Sequence, residues 1–146
     1  MGVSSRILTG IIRELMLYSR SIDNLGWING KMGISIFFFH YHRFTEENVY
    51  KKFGGELIDE IYDEIDLKYP PGFSDGLAGI AWGIEYLIRN RFVDADSDEL
   101  LEELDRQIIK YDVRKMTDHS LEAGLKGFAH YIIARYFSRR RISQVI

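Results

Sequence analysis

The chain contains no cysteine. That excludes disulfides, thiolate metal sites and a cysteine nucleophile. Only two prolines occur, Pro70 and Pro71, side by side. A loop-rich protein would carry more, so the scarcity suits a mostly helical chain. No uninterrupted apolar stretch approaches membrane-spanning length, and Arg13 and Glu14 break the apolar N-terminus before a signal-peptide core could form. Excess positive charge is missing too. At a net charge of −3, neither nucleic acid nor an anionic membrane is the expected partner. Cytoplasmic residence is the expectation.

What is present is ordinary in bulk. The 146 residues are 46% hydrophobic and 28% charged, enough for one domain with a real core spanning 1–146. Glycine is where the sequence departs from the ordinary. The stretch GLAGIAWGIEYLI reads like a helix, yet it holds Gly76, Gly79 and Gly83. Each interior glycine costs about 0.5–1 kcal/mol relative to alanine.

Self-comparison explains the pattern. GKMGISIFFFHY from Gly30, GLAGIAWGIEYL from Gly76 and GLKGFAHYIIARY from Gly124 share G-x-x-G, an apolar residue, a small residue, then an apolar and aromatic run. The paired glycines are Gly30 and Gly33, Gly76 and Gly79, Gly124 and Gly127. The starts lie 46 and 48 residues apart, which marks a repeat protein.

Helices of another kind lie between these segments. From Thr45 to Asp66, Val49, Phe53, Leu57, Ile61 and Ile65 recur every four residues, with Glu56, Glu60 and Glu64 on the other side. That spacing predicts an amphipathic surface helix, with Thr45 as N-cap and Glu46 and Glu47 in its first turn. Ser97 to Tyr111 repeats the style through Leu100, Leu101, Leu104 and Ile108, with Asp96 and Glu99 in a capping arrangement. Ser4 to Ser19 supplies a first helix whose apolar side is Ile7, Ile11, Leu15 and Tyr18.

Amphipathic helices therefore alternate with glycine-led apolar ones. The expected architecture is all-α: three hairpins, with inner glycine-led helices backed by outer acidic ones. The turn-rich loops Asp23–Gly26, Tyr69–Gly72 and Thr117–Ser120 should gather at one end. Where inner helices converge on these loops, glycine removes the side chain from the closest approach. Two other readings exist for the glycines. They could be flexible turn residues, which suits the first of each pair better than the second, or a phosphate cradle, which lacks its preceding strand, lysine and hydroxyl residue.

Candidate chemistry is thin. His40 and His42 are two apart, so on a helix they cannot share a metal. His130 is expected as a packed core histidine. His119, beside Asp118, is a loop histidine placed where the inner helices open. Asp23, Asp75 and Glu122 precede or begin the inner helices, as N-terminal caps or, in a rival reading, as paired carboxylates of a glycan-acting enzyme. Phe37, Phe38 and Phe39 cannot all face one way and read as packing residues. Arg139–Arg141 reads as a solvated final turn that complements the helix dipole.

The repeated G-x-x-G helices, the alternation, and the wording WINGKMGISIFFFHY and FSDGLAGIAWGIEYLI resemble the lanthionine synthetase C-like family over roughly Gly26 to Tyr136. The resemblance implies an α/α toroid, here an incomplete one, since the chain has room for three hairpins and matches the N-terminal portion of a family member. It also implies a bacterial peptide-modification context. In complete members a zinc ion, held by two cysteines and a histidine of later repeats, activates a thiol for thioether formation. None of those cysteines exists here, so no ligand or catalytic residue carries over and no cofactor is expected. The resulting expectation is a non-catalytic peptide-binding or scaffold module, or a truncated cyclase. Open ends of a repeat array favour a homodimer or another partner that completes the array.

Overall fold

The structure is a computed structural model that describes residues 2–66 and 68–143, the side chains of 140–143 excepted. Six α-helices follow one another among these residues: α1 (Val3–Ser19), α2 (Lys31–Thr45), α3 (Asn48–Glu64), α4 (Leu77–Arg89), α5 (Ser97–Ile109) and α6 (Leu125–Ser143). A single 3-10 turn, Val113–Lys115, precedes α6, and no strand occurs among the described residues. The all-α class and the helix order are those the periodicity predicts.

The glycine-led helices form one row. α4 packs against α2 on one side and α6 on the other. The amphipathic helices lie against that row, α1 and α3 on α2, and α5 on α4. Apolar faces explain the assembly. Leu101, Leu104 and Ile108 of α5 and Ile61 of α3 close over α4 and over Phe128 and Tyr131 of α6. A second cluster joins Ile12 of α1, Ile34 and Phe38 of α2, and Leu57 of α3. Helix α4 is apolar nearly all round and correspondingly buried along most of its length.

Three local expectations are corrected. Thr45 does not cap α3. It ends α2, where its Oγ1 donates to the Tyr41 carbonyl at 3.0 Å, and Glu46 follows as C-cap in the left-handed region at φ 61°. The chain turns there through Glu46, so α3 starts later, behind Glu47. Val49 is 55% exposed, outside the stripe it was expected to join. On α1 the buried side is Leu8, Ile12, Leu15 and Met16, whereas Ile7, Ile11 and Tyr18 are about half exposed or more. Both sides of α1 are apolar, and among the described residues only one has a neighbour. The expected Asp96 cap holds, accepting from the Asp98 and Glu99 amides at 2.8 and 3.4 Å.

Candidate functional site

All three inner helices begin on the same device. In α2 the amides of Lys31, Met32 and Gly33 donate to the carbonyls of Asn24, Leu25 and Gly26 at 2.9, 3.2 and 3.4 Å. In α4 the amides of Leu77, Ala78 and Gly79 donate to Pro70, Pro71 and Gly72 at 2.7, 3.2 and 3.3 Å. In α6 the Leu125 amide donates to Asp118 at 3.0 Å. Each loop folds back over its helix and satisfies donors that a helix start otherwise leaves open. In α2 and α4 these amides are occupied, so they form no phosphate cradle.

That folding back explains the second glycine of each pair. A Cβ on Gly33, Gly79 or Gly127 would run into the carbonyl oxygen of Trp27, Phe73 or Leu121, six residues upstream in each case. Space is what the glycines supply, since no described glycine has a positive φ. The loops are also stitched to one another at one end of the molecule, as expected. The Ile28 amide donates to Ser74 O at 2.9 Å, and the amides of Phe73 and Ser74 donate to Glu122 O at 2.8 and 2.9 Å. Close contact therefore runs mainly between a helix and its own loop. Adjacent inner helices meet through side chains, as where Met32 packs on Gly83.

All four residues singled out near these loops, Asp23, Asp75, His119 and Glu122, sit on them or beside them. Asp75 lies where the first two loops touch, its backbone against Gly26. Glu122 takes part through its carbonyl. Both side chains are exposed, as are those of Asp23 and His119. The N-caps of α2 and α4 are Gly30 and Gly76, with no side-chain cap, so Asp23 and Asp75 do not fill that role. Asp118 accepts from the Ser120 amide at 2.7 Å, which holds its carboxyl below the usual carboxylate range. None of the four predicted residues lines the groove beside Phe128, Tyr131 and Ile132 or the groove beside Leu15, Trp27 and Phe37. Among the described residues, no three of His, Asp and Glu come together in a way that could hold a metal ion.

One side of α2 and α4 leaves aromatic rings partly in solvent. Trp27 packs on Trp82 with ring centroids 5.0 Å apart, and Trp82 stacks on Tyr86 at 5.3 Å. Tyr86 OH bonds His40 Nε2 at 2.8 Å, and His40 meets the Phe92 ring edge-on at 4.6 Å. The Arg43 guanidinium lies 3.5 Å over that same ring. His130 is not a core residue. It is exposed, and it stacks on Phe73 at 5.7 Å because its turn of α6 faces away from α5. Trp27 Nε1 is buried without a hydrogen-bond partner. The result is an aromatic band along α2 and α4 with His130 at its edge, suited to stacking and to hydrogen bonding at ring edges.

One polar group behind this band escaped sequence reasoning. Arg135 of α6 is buried and donates to Glu85 of α4 at 2.9 Å, to Ser97 at 3.2 Å, and to Asp98 and Asp105 of α5 at 2.8 Å each. Tyr131 OH donates to Asp105. Burial, with Asp105 beside it, drives the Tyr131 hydroxyl well above its ordinary range. The signal was available: Glu85 is the lone charge inside GLAGIAWGIEYLI, and Arg135 is isolated inside YIIARYF.

Residues 21–145 match the family model described as lanthionine synthetase C-like protein. The chain belongs to that family. No curated protein and no solved structure matches it. For a lanthionine synthetase C-like chain, the loop-capped inner helices are the structural content of its repeated glycines. The zinc of complete members does not fit here, because the two cysteines it requires are not in the sequence.

Proposed function

We propose that this protein is a non-catalytic, peptide-binding module of the lanthionine synthetase C-like family, a scaffold linked to peptide modification in the bacterial cytoplasm. The aromatic band from Trp27 through Trp82 and Tyr86 to His40 carries the reading. Half-exposed aromatic rings with polar edges give large contact area at low entropic cost, which suits an extended peptide. The cysteine-free sequence supports binding without thioether chemistry. No described helix is long and apolar enough to cross a membrane, in keeping with that location.

The two indole N–H resonances, of Trp27 and Trp82, are built-in reporters. Titrating the protein with a linear peptide rich in Ser, Thr and Cys should shift both, and Trp82→Ala should abolish saturation. A cello-oligosaccharide should leave them unmoved. Shifts with the sugar alone would transfer the molecule to the glycan reading, and silence to both ligands at millimolar concentration would end the binding proposal.

A further inference from the structure

The aromatic band ends on a cation that is held in place without a partner charge. Helix α4 stops through Arg91, which lies in the left-handed region at φ 59°. The amides of Arg91 and Phe92 donate back to Ile88 O and Leu87 O at 3.0 and 2.9 Å, a stop of the kind that closes many helices. That stop packs Phe92 against Leu87 and against Phe39 of α2, where it is buried. Its ring is therefore a fixed platform. Arg43, in the last turn of α2, lays its guanidinium 3.5 Å over this ring and donates through Nη2 to the Asn90 carbonyl at 2.8 Å.

These two contacts hold the group and do not neutralise it. Arg43 is exposed, and among the described residues no carboxylate pairs with it, although Glu46 and Glu47 follow closely in the chain. Arg135 is the opposite case, buried with Glu85, Asp98 and Asp105 around it. A guanidinium carries five N–H donors in a planar fork, and Asn90 takes one of them. Stacking covers a face of the plane and not its donor edge, so the remaining donors suit the two oxygens of a carboxylate. The spacing along the band is short. Ring to ring, Trp82 to Tyr86 is 5.3 Å, Tyr86 to His40 5.9 Å and His40 to Phe92 4.6 Å. Arg43 thus stands no more than about 20 Å from Trp82, which about six residues of extended chain span.

We infer that Arg43 binds an acidic side chain, Asp or Glu, of a peptide whose aromatic or apolar residue, within about six positions, stacks on Trp82 and Tyr86. The inference rests on the peptide-binding reading and adds to it a charge requirement and a spacing. His40 and Arg43 are both exposed, so a peptide chain can run on past them. The carboxylate is therefore a side chain's rather than a chain end's.

The test titrates the 146-residue chain with three peptides and follows the indole N–H resonance of Trp82. Each peptide has one Phe in a Ser and Thr background, with a variable residue four positions to either side. The first has Glu at both variable positions and blocked ends, the second Gln and blocked ends, the third Gln and a free C-terminal carboxylate. At low salt the Glu peptide should bind about fivefold tighter than the blocked Gln peptide, and high salt should close the gap. Arg43→Gln should remove this preference and leave the affinity for the blocked Gln peptide unchanged. Lys51→Gln, which removes an exposed charge from outer helix α3, should keep the preference. Equal binding of the Glu and blocked Gln peptides overturns the inference and leaves the peptide-binding reading standing, whereas silence to all three ends both. The inference also falls if the preference survives Arg43→Gln, is lost equally in Lys51→Gln, or is matched by the free carboxylate. If Arg43→Gln loses its helical circular dichroism, the Arg43 Nε–H resonance of the native chain takes its place. It should move with the Glu peptide and not with the blocked Gln peptide, and a resonance that does not distinguish them overturns the inference.

Discussion

Helices α4 and α6 start from the same motif and end in different circumstances. Both begin at a loop that folds back over the first turn, with a glycine in contact with a loop carbonyl. Beyond that turn they part. α4 is enclosed by α2, α5 and α6, and its apolar residues are buried along its length. Among the described residues, α6 has its neighbours on one side and leaves Ile132, Ile133, Tyr136 and Phe137 exposed. Its inner side buries Phe128, Tyr131 and Ala134, and Arg135 ties it to Glu85 of α4 and to Asp98 and Asp105 of α5. The motif thus specifies the junction of loop and helix, and the neighbours specify how the rest of the helix is held.

Breaking the tie should show this most strongly. Arg135→Met leaves Glu85, a carboxylate with no solvent exposure, without its cation. Removing one partner of a buried pair costs about 3–5 kcal/mol. Hydrogen exchange should show the loss concentrated in α6, with α2 and α4 still protected. Adding Glu85→Leu should recover most of the stability, because a buried ion pair is often replaceable by apolar packing. Equal loss of protection in all three inner helices would mean that Arg135 stabilises the whole molecule and that the contrast between α4 and α6 is false.

The next largest effect tests the shared part. Gly79→Ala drives a methyl group into the Phe73 carbonyl and to 2.8 Å from Trp27, and Gly127→Ala meets the Leu121 carbonyl and the Phe73 side chain. Backbone on both sides cannot yield cheaply, so each should cost about 3 kcal/mol. If the motif acts at the junction, the two penalties in urea denaturation should be similar despite the different burial of the helices. Gly83→Ala should cost less, since it meets the flexible end of Met32, at 2.5 Å from Cγ and 2.6 Å from Sδ.

Titration separates the two regions more gently. The folded Tyr131 hydroxyl ionises far above its ordinary value of 10.0, so unfolding releases its proton once the pH passes that value. Its contribution is complete below pH 10 and is lost as pH rises. Lys31 behaves alike from 10.5 upward: burial, which alone would lower it, is outweighed by Glu64 and Glu60 at 2.6 and 3.0 Å. Burial raises Tyr50 and Tyr62 as well. Tyr131→Phe should therefore reduce, without abolishing, the fall in urea midpoint above pH 10, and should leave the midpoint's pH dependence between pH 7 and 9 unchanged.

Much of this was legible in the sequence because repetition averages out local ambiguity. Three G-x-x-G segments fixed the inner helices, and the four-residue stripes fixed α3 and α5. Boundaries were less legible where two signals competed. Thr45 is a good cap by type, but Phe44 and Thr45 continued α2, and the left-handed turn at Glu46 came after them. Apolar stripes tell which residues seek burial, not which find a neighbour, so of the four residues expected on the core side of α1 only Leu15 packs inward. His130 differs for a related reason: its place in an apolar run gives its helix but not its exposure. The aromatic band and the Arg135 cluster depend on contacts about 30–55 residues apart. No local pattern encodes those contacts.

The smallest effect carries the opposite sign. Gly10 and Gly55 lie inside α1 and α3, and a Cβ on either meets nothing within 4 Å. Neither belongs to a G-x-x-G pair, and neither approaches a loop. Alanine restricts the unfolded chain without cost to the folded one, so Gly10→Ala and Gly55→Ala should each stabilise by about 0.5–1 kcal/mol in urea denaturation. Identical chemistry would then destabilise at Gly79 and stabilise at Gly10. The sign depends only on whether a carbonyl from six residues upstream occupies the space, so a destabilising Gly10→Ala would show that small size has a second use on the open side of α1.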